Sequence, residues 1–147
     1  MPNPQKGEQA NSAIELLKSS TLFSSFNDKQ LKNLAKELKE KKYNAGDLIE
    51  KEGEVSVAFY LILDGEVEVR RKSKVLTKLG RGQFFGEMSL LDKYPRSADV
   101  VATKPTTCLI MTAWQWEALV LSEPKVAIEL LKTLARRLRA TDKALTD

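Results

Sequence analysis

Histidine is absent from this chain of 147 residues, and cysteine occurs once, as Cys108. Histidine is the commonest general base and the commonest metal ligand in proteins, so an active site or metal centre built on it is excluded. A single cysteine excludes an internal disulfide framework and a metal site made of several cysteines. An enzyme that relies on carboxylates, or a protein that binds without catalysis, remains open.

Long apolar segments are also lacking, since the longest apolar run extends only from Val57 to Leu63. A membrane-spanning helix needs about 20 apolar residues, and the polar start of the chain has no apolar core like that of a signal peptide. We therefore predict a cytoplasmic protein with no membrane association. The net charge of +4 permits an anionic partner without requiring one, because acids and bases are interspersed along most of the chain.

The middle of the chain has the pattern of short β-strands. Between residues 42 and 113, glycines separate short runs rich in Val, Ile, Phe, Tyr and Thr, which is typical of a small antiparallel barrel or roll. Strands are predicted at 57–63, 66–70, 75–79, 99–103 and 108–112. The tripeptide Lys72-Ser73-Lys74 is predicted to be a hairpin connection.

Both ends of the chain have a different organisation. Residues 1–10 are predicted to be a disordered tail, and residues 11–147 one domain, a size suited to a single core. Within this domain we expect helices over 12–40, the roll over 42–113 and helices over 114–146. Asn27 and Asp28 offer an N-cap for a helix over 28–40.

The last helix carries a heptad-like seam, because six of its residues follow at alternating spacings of four and three. These residues are Ala127, Leu131, Leu134, Leu138, Thr141 and Leu145. Such a seam packs either on the roll of its own chain or on a second copy in a homodimer. The sequence leaves both arrangements open.

The segment FFGEMSLLDKYPRSADV, at residues 84–100, suggests a ligand site. Gly86 would let a ligand approach the backbone closely, because it has no Cβ. The residues after it can form a helical turn whose first N–H groups favour an anion. Arg96 supplies a planar donor fork suited to phosphate oxygens, and the residues that follow it, Ser97 and Ala98, are small.

Glu87 is the residue of this segment that a phosphate alone does not explain. A carboxylate repels a phosphate, but it accepts a hydrogen bond from a hydroxyl group, so a sugar phosphate would satisfy both Glu87 and Arg96. The alternative is that Glu87 and Arg96 pair with each other and close a loop. A surface pair of that kind contributes only about 0–1 kcal/mol and would not explain Gly86.

The segment closely resembles the phosphate-binding cassette of cyclic nucleotide-binding domains. The matching order is Leu79-Gly80-x-Gly82-x-Phe84-Phe85-Gly86-Glu87-Met88-Ser89-Leu90-Leu91, followed by Pro95-Arg96-Ser97-Ala98. The family includes bacterial catabolite activators, kinase regulatory subunits and cyclic nucleotide-gated channels. The similarity extends over most of the chain and includes Tyr43-x-Ala45-Gly46-Asp47-x-Ile49, Glu52-Gly53 and Phe59-Tyr60-x-Ile62-x-x-Gly65-x-Val67.

The resemblance implies a fold and a set of site residues. The implied fold is α+β and mainly β, an antiparallel, jelly-roll-like β-roll flanked by N-terminal helices and a long C-terminal helix. By similarity, the ribose is bound by Gly86, Glu87 and Met88. The cyclic phosphate is held by Arg96, Ser97 and Ala98. The base is contacted by Val69, Leu76, Thr77 and, from the C-terminal helix, Thr141. No catalytic residue, metal or cofactor is implied.

The expected function is a non-catalytic sensor that binds cAMP, less readily cGMP, and moves its C-terminal helix. The preference for cAMP depends on Thr141 and on Ser97, where cGMP-selective relatives commonly have threonine. Asp142 departs from the activators, in which a serine from the partner chain follows the threonine. Because the chain ends at Asp147 without a helix-turn-helix, we expect an unknown downstream protein partner and no direct DNA binding. The alternative is an interaction or dimerisation module of the same fold that binds no nucleotide.

Overall fold

The computed structural model describes residues 13–55, 58–86 and 95–146, with the backbone alone described from 141 onwards. The helices in these ranges are α1 (13–19), a 3-10 turn (Thr21–Phe23), α2 (Asp28–Glu37), α3 (Ala113–Ser122) and α4 (Lys125–Thr146). The strands are β1 (Lys39–Tyr43), β2 (Leu48–Glu50), β3 (Ala58–Asp64), β4 (Glu66–Arg71), β5 (Lys74–Gly80), β6 (Phe84–Phe85), β7 (Asp99–Ala102) and β8 (Thr106–Thr112).

Two antiparallel sheets of four strands each form a β-roll, with strand orders β1-β8-β3-β6 and β2-β7-β4-β5. The mainly β fold with flanking helices that the resemblance implies is confirmed. The five strands predicted from the sequence correspond to β3, β4, β5, β7 and β8. The hairpin at Lys72 and Ser73 is also present, and both residues have positive φ, 51° and 67°, as a two-residue hairpin turn requires.

Strand β3 is buried on both of its faces, which explains why it contains six of the seven residues of the longest apolar run in the sequence. Alternate strand residues point to opposite sides. On one side Tyr60 and Ile62 face the core between the two sheets, and on the other Phe59, Leu61 and Leu63 pack with the helices. The first sheet is therefore the layer that joins the interior of the roll to the helical core.

Helix α2 begins where the sequence predicted, with a capping box in which Asn27 and Gln30 bond each other's backbone N–H groups. It ends at Glu37, however, and not at residue 40. Residues 39–43 instead form β1, which pairs with β8 along its whole length. The ladder hydrogen bonds outweigh the helical propensity of the Lys and Glu residues of this segment, and the exposed lysines of β1 are typical of an edge strand. The roll thus begins at Lys39 and not at residue 42.

Helix α4 turns one side toward the helical core. Val126 and Leu130 are fully buried there, and Leu134 packs partly against them. Leu131 and Leu138 point away and are each 64% exposed. None of the helices in the described ranges has the length and apolar character needed to cross a membrane. The predicted tail at residues 1–10 lies outside the described residues.

We expect the buried thiol of Cys108 to make the fold sensitive to alkali. Burial raises the pKa of Cys108 from 9.0 to about 12, so above pH 9 the unfolded chain releases this proton while the folded chain retains it. The free energy of unfolding then falls as pH rises, by up to about 1.4 kcal/mol per pH unit for this group. Urea unfolding of wild type and Cys108→Ala from pH 8 to 11 should give a shallower decline for the variant. If the free energy of unfolding fell equally with pH in both proteins, Cys108 would not be the source of the pH dependence.

Candidate functional site

The backbone of Arg96 is fixed by the turn that follows β2. Its N–H donates to the Glu54 carbonyl at 2.9 Å, and its carbonyl accepts from the Gly53 N–H at 2.9 Å. Three residues on, the Asp99 carboxylate accepts from the Glu52 N–H at 2.7 Å. These bonds hold the segment from Arg96 to Asp99 against one turn, so the arginine side chain starts from a defined position.

The guanidinium group of Arg96 lies inside the roll, and the residue is only 7% exposed. Its Nε lies 3.3 Å from Oε2 of Glu50, and its Nη2 lies 3.3 Å from Oε1 of the same carboxylate. Nη2 also donates to the Ala58 carbonyl at 2.7 Å. A charge buried to this degree needs such compensation, because its loss of hydration costs several kcal/mol. Glu50 itself is 6% exposed.

Tyr60 completes this buried group. Its hydroxyl donates a hydrogen bond to Oε1 of Glu50, and its ring stacks on Phe85 with centroids 4.7 Å apart and planes 7° apart. Burial first, and then the hydrogen bond to Glu50, raise the pKa of Tyr60 above its usual range. The hydroxyl therefore keeps its proton and remains a donor to the carboxylate.

Gly86 lies directly against the guanidinium, and its φ is +87°. A Cβ at this position would lie 2.6 Å from the Ala58 carbonyl oxygen and 2.7 Å from Nη1 of Arg96. Glycine is therefore required both by the backbone angle and by the space that Arg96 occupies. The sequence predicted the close approach, but the group that approaches in this structure is the side chain of Arg96.

A cavity of about 390 Å³ opens above these residues, which is within the usual range for small-molecule sites. Its polar end is formed by Arg96, Glu50 and the segment after the arginine. Its other walls are mainly apolar. The described residues that line it are Glu50, Val69, Thr77, Leu79, Gln83, Phe84, Phe85, Gly86, Arg96, Ser97, Ala98, Val100 and Arg137. A ligand with an anionic end and a flat, less polar end fits this arrangement.

Two further arginines contact residues that line the cavity. Arg71, at the end of β4, donates from Nε to the Ser97 carbonyl at 3.0 Å and so helps to hold the segment after Arg96. Arg137, on α4, places its guanidinium carbon 4.5 Å from the centre of the Phe84 ring, a cation–π contact. Arg137 is exposed to solvent, and through this contact it joins the last helix to the cavity wall.

The structure brings most of the expected site residues together. Among the residues with described side chains, the cavity is lined by Gly86, Arg96, Ser97, Ala98, Val69 and Thr77. Leu76 is not among the lining residues and is 47% exposed. The pairing of β4 with β5 shifts from Val69–Thr77 to Arg70–Val75, so Leu76 is the extra residue of a β-bulge. Its contact with a base therefore stays a prediction.

Three expected residues cannot be placed at the cavity. Glu87 and Met88 lie outside the described residues, and so does the side chain of Thr141, although its backbone is part of α4. The alternative, in which Glu87 pairs with Arg96, involves Glu87 and so also lies outside the described residues.

Sequence reasoning missed Glu50, because β2 has three residues and pairs through an irregular register. Val100, which also lines the cavity, could have been predicted from the sequence, because alternate residues of an extended segment point to the same side as Ala98.

Comparison with known proteins identifies this architecture. The family model described as "Cyclic nucleotide-binding domain" matches residues 40–123. The Cyclic AMP receptor protein of Thermus thermophilus is 40% identical over 105 residues, 68% of this chain and 49% of that protein. A cGMP-dependent protein kinase of Plasmodium berghei is 39% identical over 93 residues, 63% of this chain and 11% of the kinase. The chain thus spans at most about half of these two relatives.

Solved structures agree with the sequence matches. The crystal structure of the Thermus thermophilus Catabolite Activator Protein superposes with a TM-score of 0.80 and 34% identity, over 86% of this chain and 62% of that one. A cyclic nucleotide-binding domain from Methylobacillus flagellatus gives a TM-score of 0.77 with 28% identity, over 95% and 84% of the two chains. The chain belongs to the family of cyclic nucleotide-binding domains, and the resemblance stated from the sequence is confirmed.

We expect Gly86→Ala to damage the site far more than Gly53→Ala, although both glycines have a φ of +87°. At Gly53 no atom lies within 4 Å of an added Cβ, so backbone strain alone should lower the free energy of unfolding by about 1 kcal/mol. At Gly86 the added Cβ must also displace Arg96 or the Ala58 carbonyl, and about 3 kcal/mol in total is expected. Urea unfolding measures both values. Equal losses would show that Gly86 does not confine the arginine.

Proposed function

We propose that this chain is a cytoplasmic, non-catalytic sensor that binds cAMP in the β-roll and responds through its C-terminal helix. The observation that carries the proposal is the position of Arg96 at one end of an otherwise largely apolar cavity, packed closely against a glycine that also lines it. A cyclic phosphate at this end would meet Arg96 and the N–H groups of Ser97 and Ala98. Ribose contacts are proposed for Gly86, Glu87 and Met88.

The apolar walls would take the base of the nucleotide. Val69 and Thr77 lie opposite each other on β4 and β5, and both line the cavity. Thr141 is proposed to reach the adenine amino group from α4, with Leu76 as a further base contact. The names of the relatives include a cyclic AMP receptor and a cGMP-dependent kinase. Because these names include both nucleotides, they do not decide between them. The preference for cAMP over cGMP is proposed from Ser97 and Thr141.

The response is proposed to pass through Arg137. This residue belongs to α4, and its contact with Phe84 lies on the cavity wall. Phe84 precedes Phe85 and Gly86, so a ligand that enters beside Gly86 would alter the wall on which Arg137 rests. A shift of α4 would follow, because a ligand changes a conformational equilibrium when it binds one arrangement better than the other.

Isothermal titration calorimetry tests the binding proposal. Wild type should bind cAMP more tightly than cGMP, and Arg96→Lys should weaken cAMP binding by about 30-fold, since lysine keeps the charge and loses the planar donor fork. Arg139→Lys is the matched control. Arg137 lines the cavity, and Arg139, two residues further along the same helix, points to nearly the opposite side. No heat with either nucleotide at millimolar concentration would favour the alternative, an interaction module that binds no nucleotide.

A homodimer through α4 is proposed from the exposed part of the seam. Leu134 packs on its own helical core, and Ala127 is half-buried. Leu131 and Leu138 are two helical turns apart on one side of α4 and leave apolar surface in solvent, and exposed apolar patches mark protein contacts. Thr141 and Leu145 continue the same seam in sequence.

Sedimentation velocity should show a dimer that Leu138→Glu dissociates, because the substitution places a charge in the proposed interface. Leu121→Glu is the control, since Leu121 is 84% exposed on α3 and lies outside the seam. A monomer at every concentration, or equal effects of the two variants, would contradict this interface.

A further inference from the structure

Glu50 is a carboxylate inside the cavity in which an anion is proposed to bind. It lies at the end of β2, is 6% exposed, and belongs to the residues that line the cavity. A buried carboxylate in this place makes the local electrostatic potential more negative, because little water is present to screen its charge. Its presence therefore opposes the binding of a phosphate, and the fold retains it beside the arginine.

The carboxylate lies along the Nε–Nη2 edge of Arg96, with both N–O distances at 3.3 Å. An arginine uses such an edge to hold two oxygens of a carboxylate or phosphate. The distances exceed the 2.7–2.9 Å usual for charge-assisted bonds, so the pair is in contact but not tightly closed. Glu50 thus occupies, loosely, the kind of position that two phosphate oxygens would take.

Both members of the pair have firmer bonds elsewhere. Arg96 donates to the Ala58 carbonyl at 2.7 Å, and Glu50 accepts a close hydrogen bond from Tyr60. The Tyr60 ring is fixed in turn by its stack on Phe85. Arg96 and Glu50 therefore have anchors that do not depend on their mutual contact.

We propose that Glu50 is an internal counter-ion that competes with the ligand phosphate for Arg96 and so excludes simple anions from the site. This inference rests on the proposed function, since it assigns a specificity role within the same cavity. Inorganic phosphate offers only charge, which Glu50 already supplies to Arg96. A cyclic nucleotide adds contacts through its sugar and base, and these offset the repulsion by Glu50. Tyr60 moderates the competition, because its hydrogen bond draws the carboxylate away from the arginine.

The test compares Glu50→Gln with Glu40→Gln by calorimetry, using cAMP and inorganic phosphate as separate ligands. Glutamine keeps the shape of residue 50 and removes its charge, so cAMP affinity should rise by about tenfold or more, roughly 1.4 kcal/mol, and inorganic phosphate should gain measurable affinity. Glu40 is exposed on β1, and the same change there reports the effect of net charge alone. Unchanged or weaker binding of both ligands by Glu50→Gln would overturn the proposal.

A second variant separates competition from a structural role. Tyr60→Phe removes the hydroxyl that holds Glu50, so the carboxylate should close on Arg96 and cAMP affinity should fall several-fold. The two variants therefore change affinity in opposite directions. If Glu50, Tyr60 and Arg96 only supported the fold, both variants would weaken binding, and that result would overturn the inference.

The inference can fail independently of the proposed function. Wild type that binds no cyclic nucleotide would contradict the proposed function alone, because the gain of phosphate binding in Glu50→Gln still tests the counter-ion. Wild type that binds cAMP, together with Glu50→Gln that binds neither ligand more tightly, would contradict the inference alone. Urea unfolding of each variant confirms that affinities are compared between folded proteins.

Discussion

The burial of one positive charge, the guanidinium group of Arg96, is the constraint around which the rest of the site is arranged. A charge that is 93% removed from solvent must be compensated by the protein. Glu50 supplies the opposite charge, and the Ala58 carbonyl supplies a further acceptor. Glu50 then needs a donor of its own, which Tyr60 provides. The glycine at position 86 follows from the same constraint, because any larger residue would enter the space of the guanidinium.

The β-roll provides these groups from elements that are distant in sequence. Ala58 and Tyr60 belong to β3, which is buried on both faces and pairs with β6 and β8. Glu50 comes from β2 in the opposite sheet. The cavity thus lies where the two sheets meet, and its polar end combines Glu50 of β2 with the segment that precedes β7. Helix α4 reaches it through Arg137, so the last helix and the ligand site share the Phe84 wall.

Much of this could be predicted from the sequence, and the failures have physical causes. Period-two alternation and turn residues located five strands, and the cassette motif placed Gly86, Arg96, Ser97 and Ala98 in one site. Strands β1 and β2 were missed because pairing with distant strands, and not local propensity, makes them strands. Glu50 was missed for the same reason. A charged residue at the end of an unrecognised strand gives no local sign that it is buried against an arginine 46 positions later.

The central claim is that the chain binds a cyclic nucleotide by its phosphate at Arg96, and a crystal structure of the protein grown with cAMP tests it most directly. The account predicts the phosphate beside Arg96 and the N–H groups of Ser97 and Ala98, with the base between Val69 and Thr77. It also predicts a longer distance between Glu50 and Arg96 than the 3.3 Å found here. A crystal in which cAMP is bound at full occupancy in another place, with the distance between Glu50 and Arg96 unchanged, would contradict the account.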